Sequence, residues 1–282
     1  TAQPRWMRKG RIDVSKQTSM GVVGLGAMGG PIAGYITDAG FRVLCWDLDP
    51  AKLQELVCRG ASAAEGVEQL AACDCVLIFV PTDDDVISIG KSLIKEATSA
   101  TTLVVCSSAL PATCRRLAEL AGGGDVAVLD APLTGGTRAA DAGEINLLVG
   151  GDAEVLARVR DVFDAFTANV HHLGALGNGQ VAKTVNNLIH WAIIAMIVES
   201  LEFGERLGVA PQDMRAALLD GPTSSRSLAE LEHMRLTWWA KDYDNSFLMA
   251  KEEHTPLPLG GLVHGLMPTI PLERLRRLIA QS

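Results

Sequence analysis

The 282-residue chain predicts an α/β fold, a doubly wound parallel sheet followed by an all-helical C-terminal domain. Two patterns carry this expectation. From Met20 to about Gly177, short and almost wholly apolar runs alternate with helical stretches, as parallel strands covered on both faces do. From Gly179 onward the strand texture stops and only helical periodicity and turns remain. Three segments follow: residues 1–18 as a flexible extension, 19–177 as the sheet domain and 178–282 as the helical domain.

The elements fall in order. Met20–Gly26 (MGVVGLG) reads as a strand entering a glycine turn, and Pro31–Ala39 as a helix. Phe41–Asp47 is a second strand, followed by a helix from Asp49 that Gly60 stops. Cys73–Pro81 is a buried strand, nearly continuous in apolar residues. Thr101–Ser108 and Asp125–Pro132 repeat the theme on either side of a helix that ends at Gly122. Ile145–Gly151, a helix over Asp152–Phe166 and a strand over Asn169–Gly174 continue it. One long, mostly buried helix then spans Gly179 to about Leu207, and four helical segments follow, around Ala210–Gly221, Ser227–Leu236, Ser246–His254 and Leu272–Gln281.

Composition narrows the function. Lys+Arg 25 against Asp+Glu 33 leaves a net charge of −8, and aromatics are only 5%, so neither nucleic acid nor an anionic membrane is an expected partner. The longest apolar run, Leu188–Val198, is interrupted by His190 and falls short of the roughly 20 residues a membrane span needs. The six cysteines include no CxxC pair and no zinc spacing, which fits a reduced, cytoplasmic setting. The six histidines show no ligand spacing either, so no metal is expected. Residues 1–18 are basic but lack the apolar stretch of a signal peptide.

Gly24-Leu25-Gly26-Ala27-Met28-Gly29 is GxGxxG between a strand and a helix. Gly24 permits the tight turn, Gly26 lets a pyrophosphate approach the backbone, and Gly29 lets helix and strand pack closely; the helix end supplies N–H donors. Asp47 ends the second strand, eighteen residues after Gly29. A carboxylate there accepts from the adenosine ribose hydroxyls and repels a 2′-phosphate, which predicts NAD in preference to NADP. The sheet domain thus reads as Rossmann-type and NAD-binding. The plain alternatives are an ordinary strand–helix turn and a helix cap at Asp47, although Asp49 suits the cap better.

A second glycine-rich stretch, Asp130 to Gly143, offers a hydroxyl and two glycines (Thr134, Gly135, Gly136) ahead of a helical run. Its free N–H groups suit a carboxylate; equally, Thr134 could simply cap the helix. Lys183 and Asn187 share one face near the start of the long helix. A lysine in the first turn faces the positive end of the dipole, and partial burial would favour its neutral form further, so it could give or take a proton. A solvated helix-start lysine is the bland alternative.

In four ordered motifs the sequence resembles the β-hydroxyacid dehydrogenases: GLGAMGGPIA with Asp47 beyond, DAPLTGGTRAADAG, GNGQVAKTVNN and FLMAKEE, from Met20 to Glu253. The family includes 3-hydroxyisobutyrate dehydrogenase and tartronate semialdehyde reductase. The resemblance implies an NAD-dependent enzyme that interconverts a small β-hydroxy acid and its semialdehyde or keto form. It implies Lys183 as catalytic acid/base, Asn187 as the residue orienting the substrate, and Thr134, Gly135 and Gly136 as the grip on a substrate carboxylate. Lys251 would close over cofactor and substrate, while Val80, Pro81 and Ser108 would line the cofactor beside Gly24, Leu25, Gly26, Ala27, Met28 and Gly29. Members are dimers or tetramers, so a homo-oligomer is implied.

Three departures stand out. Thr134 replaces the usual Ser, Glu252 follows Lys251 where Asp is usual, and the last pair of longer helices is not evident. Two other functions are compatible with the same scaffold. An imine reductase on the same scaffold usually carries Asp or Tyr at the position of Lys183, and often favours NADPH. A non-catalytic dinucleotide-binding protein would not retain every proton-transfer and carboxylate position.

Overall fold

The structure is a computed structural model that describes residues 18–279, so all but the last residue of the expected 1–18 extension lies outside the described residues. The chain forms two compact units, one up to residue 183 and one from residue 184.

The first unit is built on a six-stranded parallel sheet: β1 (Ser19–Val23), β2 (Arg42–Trp46), β3 (Ser62–Ala63), β4 (Cys75–Ile78), β5 (Thr101–Val105) and β6 (Val126–Asp130), in the order β3-β2-β1-β4-β5-β6. Successive side chains point to opposite faces. Val22, Leu77 and Val104 therefore enter one core with Ile32 and Ile36, while Val23, Val76, Ile78 and Leu103 enter the other with Leu93 and Leu117. Burial on both faces is why these strands read as continuous apolar runs. The winding reverses between β1 and β4, and ligands bind parallel α/β sheets at the carboxyl ends of strands flanking such a reversal.

Helices α1 (Gly29–Asp38), α2 (Pro50–Cys58), α3 (Asp83–Glu96) and α4 (Pro111–Ala121) cover the sheet. α3 is not expected from the sequence. Three successive aspartates disguise its start, yet Thr82 and Asp85 cap it reciprocally. The strands expected to continue the main sheet form a second one. In it, β7 (Leu133–Thr134) runs antiparallel to β8 (Ile145–Val149), and β9 (Thr167–His172) runs parallel to β8. The Ala131 N–H still donates to the Val105 carbonyl at 2.9 Å, but Pro132, two residues after β6, has no N–H to extend the ladder, and the chain leaves the large sheet there. α5 (Gly136–Ala142) and α6 (Ala153–Asp164) belong to this part.

α7 (Asn178–Arg206) begins in the first unit and continues into the second. The second unit adds α8 (Pro211–Leu219), α9 (Arg226–Ala229), α10 (Trp239–Glu252), α11 (Pro258–Leu266) and α12 (Leu272–Ile279). α11 was not expected, because its three glycines and flanking prolines read as turns. By length and composition α7, at 29 residues, could cross a membrane. Trp191, Ile194, Val198 and Leu201 on it instead form a core with Tyr243, Val263, Leu275 and Leu278. Its other side exposes Val185, Ile189, Met196 and Phe203. Arg274 on α12 grips Glu202 on α7 with two bonds, 2.7 and 2.5 Å long.

All six cysteines are unbridged; five are buried and Cys58 is exposed. Burial pushes the Cys45 thiol up to about 12 and the Cys73 thiol up to about 11, so neither is a nucleophile near neutral pH.

Candidate active site

The glycine turn lies at the end of β1, beside the reversal. Gly24 has φ +85°, and a Cβ there would be driven into the carbonyl oxygen of Phe79. A Cβ on Gly29 would collide with the carbonyl oxygen of Gly24. Gly26 differs, since a Cβ there meets nothing within 4 Å. The protein's own packing demands the outer two glycines, while the middle one borders open space. Leu25 is buried, Ala27 exposed and Met28 half-buried. α1 has no side-chain cap, whereas Asp49, Thr82 and Asp152 cap α2, α3 and α6.

Asp47 reaches this turn directly. Its Oδ2 accepts the Leu25 N–H at 2.6 Å, and its Oδ1 accepts the Asp49 N–H at 2.8 Å, with the Lys52 Nζ at 3.5 Å. Burial raises its pKa, but the N–H groups of Asp49 and Leu25 together with Lys52 outweigh it and hold the carboxyl below the usual aspartate range. Asp49 caps α2 by accepting from the Ala51 N–H, so Asp47 is not spent as that cap.

Val80 and Pro81 follow β4, and Ser108 follows β5. The two loops are tied by Ser107, whose Oγ accepts the Val80 N–H at 2.8 Å. Gln180, 1% exposed, binds the loop after β5: its Nε2 donates to the Ser107 carbonyl at 2.8 Å and its Oε1 accepts the Ala109 N–H at 3.1 Å. Asp130, fully buried, accepts the N–H groups of Gly177 and Gln180 at 2.6 and 2.8 Å. Burial pushes its carboxyl up, against the lowering effect of those N–H groups. Asp130 and Gln180 stand within sequence motifs that suggest no role for either, and no motif marks Ser107.

Thr134 lies in β7, opposite Asn146. Gly135, with φ +110°, stands at the cap of α5 and no side chain caps that helix, so Thr134 does not serve as its cap. Lys183 is half-buried. It is the sixth residue of α7, so it stands beyond the first turn where it was expected. The field of the helix end falls off within that turn, which weakens the dipole argument and leaves partial burial. Asn187, one turn on, is 8% exposed and accepts from the Asn186 amide at 3.1 Å. Lys251 sits exposed in the last turn of α10. Among the described residues, no cluster of three His, Cys, Asp or Glu could hold a metal ion.

The family of the NAD binding domain of 6-phosphogluconate dehydrogenase matches residues 19–174. The chain belongs to the β-hydroxyacid dehydrogenase family. A second family, described as the NAD-binding domain of NADP-dependent 3-hydroxyisobutyrate dehydrogenase, matches residues 177–274. The 3-hydroxyisobutyrate dehydrogenase of Pseudomonas aeruginosa is 36% identical over 69% of this chain and 66% of its own length, just under two thirds. The 2-(hydroxymethyl)glutarate dehydrogenase of Eubacterium barkeri is 30% identical over 87% of each chain. The solved 3-hydroxyisobutyrate dehydrogenase of Mycobacterium tuberculosis superposes with a TM-score of 0.83 at 22% identity, covering 94% of this chain and all of that one, and so shares the fold. The β-hydroxyacid dehydrogenases are oxidoreductases with a nicotinamide dinucleotide cofactor. This chain's residues fit one: the space at Gly26 admits a pyrophosphate to the backbone, and α1 presents its N–H groups there without a competing side chain.

Proposed function

We propose that this protein is an NAD-dependent dehydrogenase interconverting a small β-hydroxy acid, of the 3-hydroxyisobutyrate or tartronate semialdehyde type, and its carbonyl form. The observation that carries this reading is the fastening of the helix bearing Lys183. Asp130 and Gln180 hold its start to β6 and to the loop after β5, among the segments lining the nucleotide site.

A bound nicotinamide dinucleotide supplies the hydride donor or acceptor. Lys183 holds the proton: its Nζ gives it to the carbonyl oxygen in reduction and takes it from the hydroxyl in oxidation. Asn187, on the same helix face, orients the substrate oxygen. Thr134, Gly135 and Gly136 grip the substrate carboxylate with a hydroxyl and main-chain N–H groups. Lys251 closes over cofactor and substrate. Asp47 favours NAD, because its carboxylate repels a 2′-phosphate. The exposed apolar stripe of α7 (Val185, Ile189, Met196, Phe203) supports a homo-oligomer, a dimer or tetramer. Six unbridged cysteines accord with a cytoplasmic setting.

The test is a spectrophotometric panel of 3-hydroxy acids, semialdehydes and one cyclic imine, each with NAD(H) and NADP(H). A Lys183→Ala variant should keep NADH binding and lose roughly 10²- to 10⁴-fold in turnover. Unchanged kcat in that variant would overturn the role of Lys183. Turnover of the imine alone would overturn the substrate class.

A further inference from the structure

We propose that Gln180 is a positioning residue, which fixes the Lys183 amine against the loop after β5; this rests on the proton-transfer role of Lys183. Gln180 precedes Lys183 by three residues on α7, so any roll or slide of the helix start moves both. The side chain is 1% exposed, and both ends of its amide are used on one loop, at the Ser107 carbonyl and the Ala109 N–H. That loop is held in turn. The N–H groups of Cys106 and Ser107 donate to the Ile78 carbonyl at 3.0 and 3.2 Å, and Ser107 Oγ accepts from Val80. The amide therefore connects the first turn of α7 with the loop after β5, and that loop's own bonds hold it to the end of β4.

Packing alone does not call for this residue. An apolar side chain of the same length would fill the space without burying an amide, which is tolerated only when fully hydrogen-bonded. What the amide adds is direction. Its donor and acceptor must meet two fixed main-chain groups at once, and that sets both the depth and the rotation of the helix start. Asp130 holds the same turn through main-chain groups, its two oxygens accepting the N–H groups of Gly177 and Gln180. Gln180 bonds this helix start to the Ser107–Ala109 loop.

The test uses the full chain and the variants Gln180→Met, which keeps the length and loses the amide, and Gln180→Asn, which keeps the amide one methylene short. Hydrogen exchange at the Ala109 N–H is measured in the unliganded protein, NADH affinity by fluorescence titration, and turnover with the better substrate of 3-hydroxyisobutyrate and 2-hydroxy-3-oxopropionate. In Gln180→Met, Ala109 exchange should accelerate and NADH Kd should stay within about twofold. The kcat should fall roughly 10- to 100-fold, the scale expected of a reacting group displaced by about 1 Å, with KM little changed. Gln180→Asn should fall between it and the parent. A kcat within about twofold of the parent, beside a Lys183→Ala variant that has lost turnover, overturns the positioning role and leaves Lys183 intact. A Lys183→Ala variant that keeps turnover overturns the reading beneath both. A rise in NADH Kd that matches the loss of kcat assigns Gln180 to the nucleotide site instead and overturns the proposal. Failure of both Gln180 variants to fold makes it a stability residue alone, with the same result.

Discussion

The carboxylate of Asp130 accepts the main-chain N–H of Gln180 at 2.8 Å across 50 residues of sequence, and that of Gly177 at 2.6 Å. One buried side chain thus closes the start of α7 onto the end of β6. Gly179 lies between the two donors because a Cβ there would strike the Leu148 carbonyl and press on Asp130 Oδ2. In Asp130→Asn one of the two oxygens becomes an NH₂ facing an N–H. An unsatisfied buried donor costs about 1–3 kcal/mol, and chemical denaturation of the variant should show a loss of that size.

The glycine turn separates packing from ligand contact within six residues. Gly24→Ala meets both a left-handed φ and the Phe79 carbonyl, so it should unfold at distinctly lower denaturant than the parent. Gly26→Ala points into open space and should keep stability within about 0.5 kcal/mol. The added methyl occupies the pyrophosphate's approach. NADH Kd in a fluorescence titration should therefore rise on the order of tenfold, the equivalent of about 1.4 kcal/mol.

Asp47 sets the dinucleotide preference in the proposed reading. Asp47→Asn keeps an acceptor for the Leu25 N–H and removes the negative charge. Hydrogen bonds to charged groups are worth about 1.5–3 kcal/mol, so NADH should bind roughly tenfold or more weakly. NADPH, no longer repelled, should gain, and paired kcat/KM values with the two cofactors would show it.

Glu202 carries the pH dependence of the α7–α12 contact. The hydrogen-bonded Arg274 guanidinium holds its carboxyl below the usual glutamate range, against the effect of burial. A lowered folded-state pKa contributes stability above the ordinary value of about 4.3, and that stability is lost as pH falls through the lowered one. Glu202→Gln should thus cost about 1 kcal/mol at pH 7, and the gap to the parent should close below roughly pH 4. Urea midpoints at several pH values would trace it.

The alternation of apolar runs and helices was legible because the central strands β1, β4 and β5 are buried on both faces, and the GxGxxG turn because the strand and helix around it are local. α3 was hidden by Asp83–Asp85, since a capping box inside an acidic run resembles a loop. The separate small sheet turns on how Leu133–Thr134 pairs with Asn146–Leu147, which no local pattern announces. Ser107, Asp130 and Gln180 went unassigned for the same physical reason. Their partners lie 27, 50 and 71 residues away, so only the folded chain shows what these polar groups satisfy.

With Cys58 alone of the six thiols at the surface, a maleimide dye added to the folded protein has a single place to attach, near the end of α2. The other five become reactive only when the sheet and helices around them open, so the number of attached dyes per molecule counts denatured chains without recourse to any enzymatic assay.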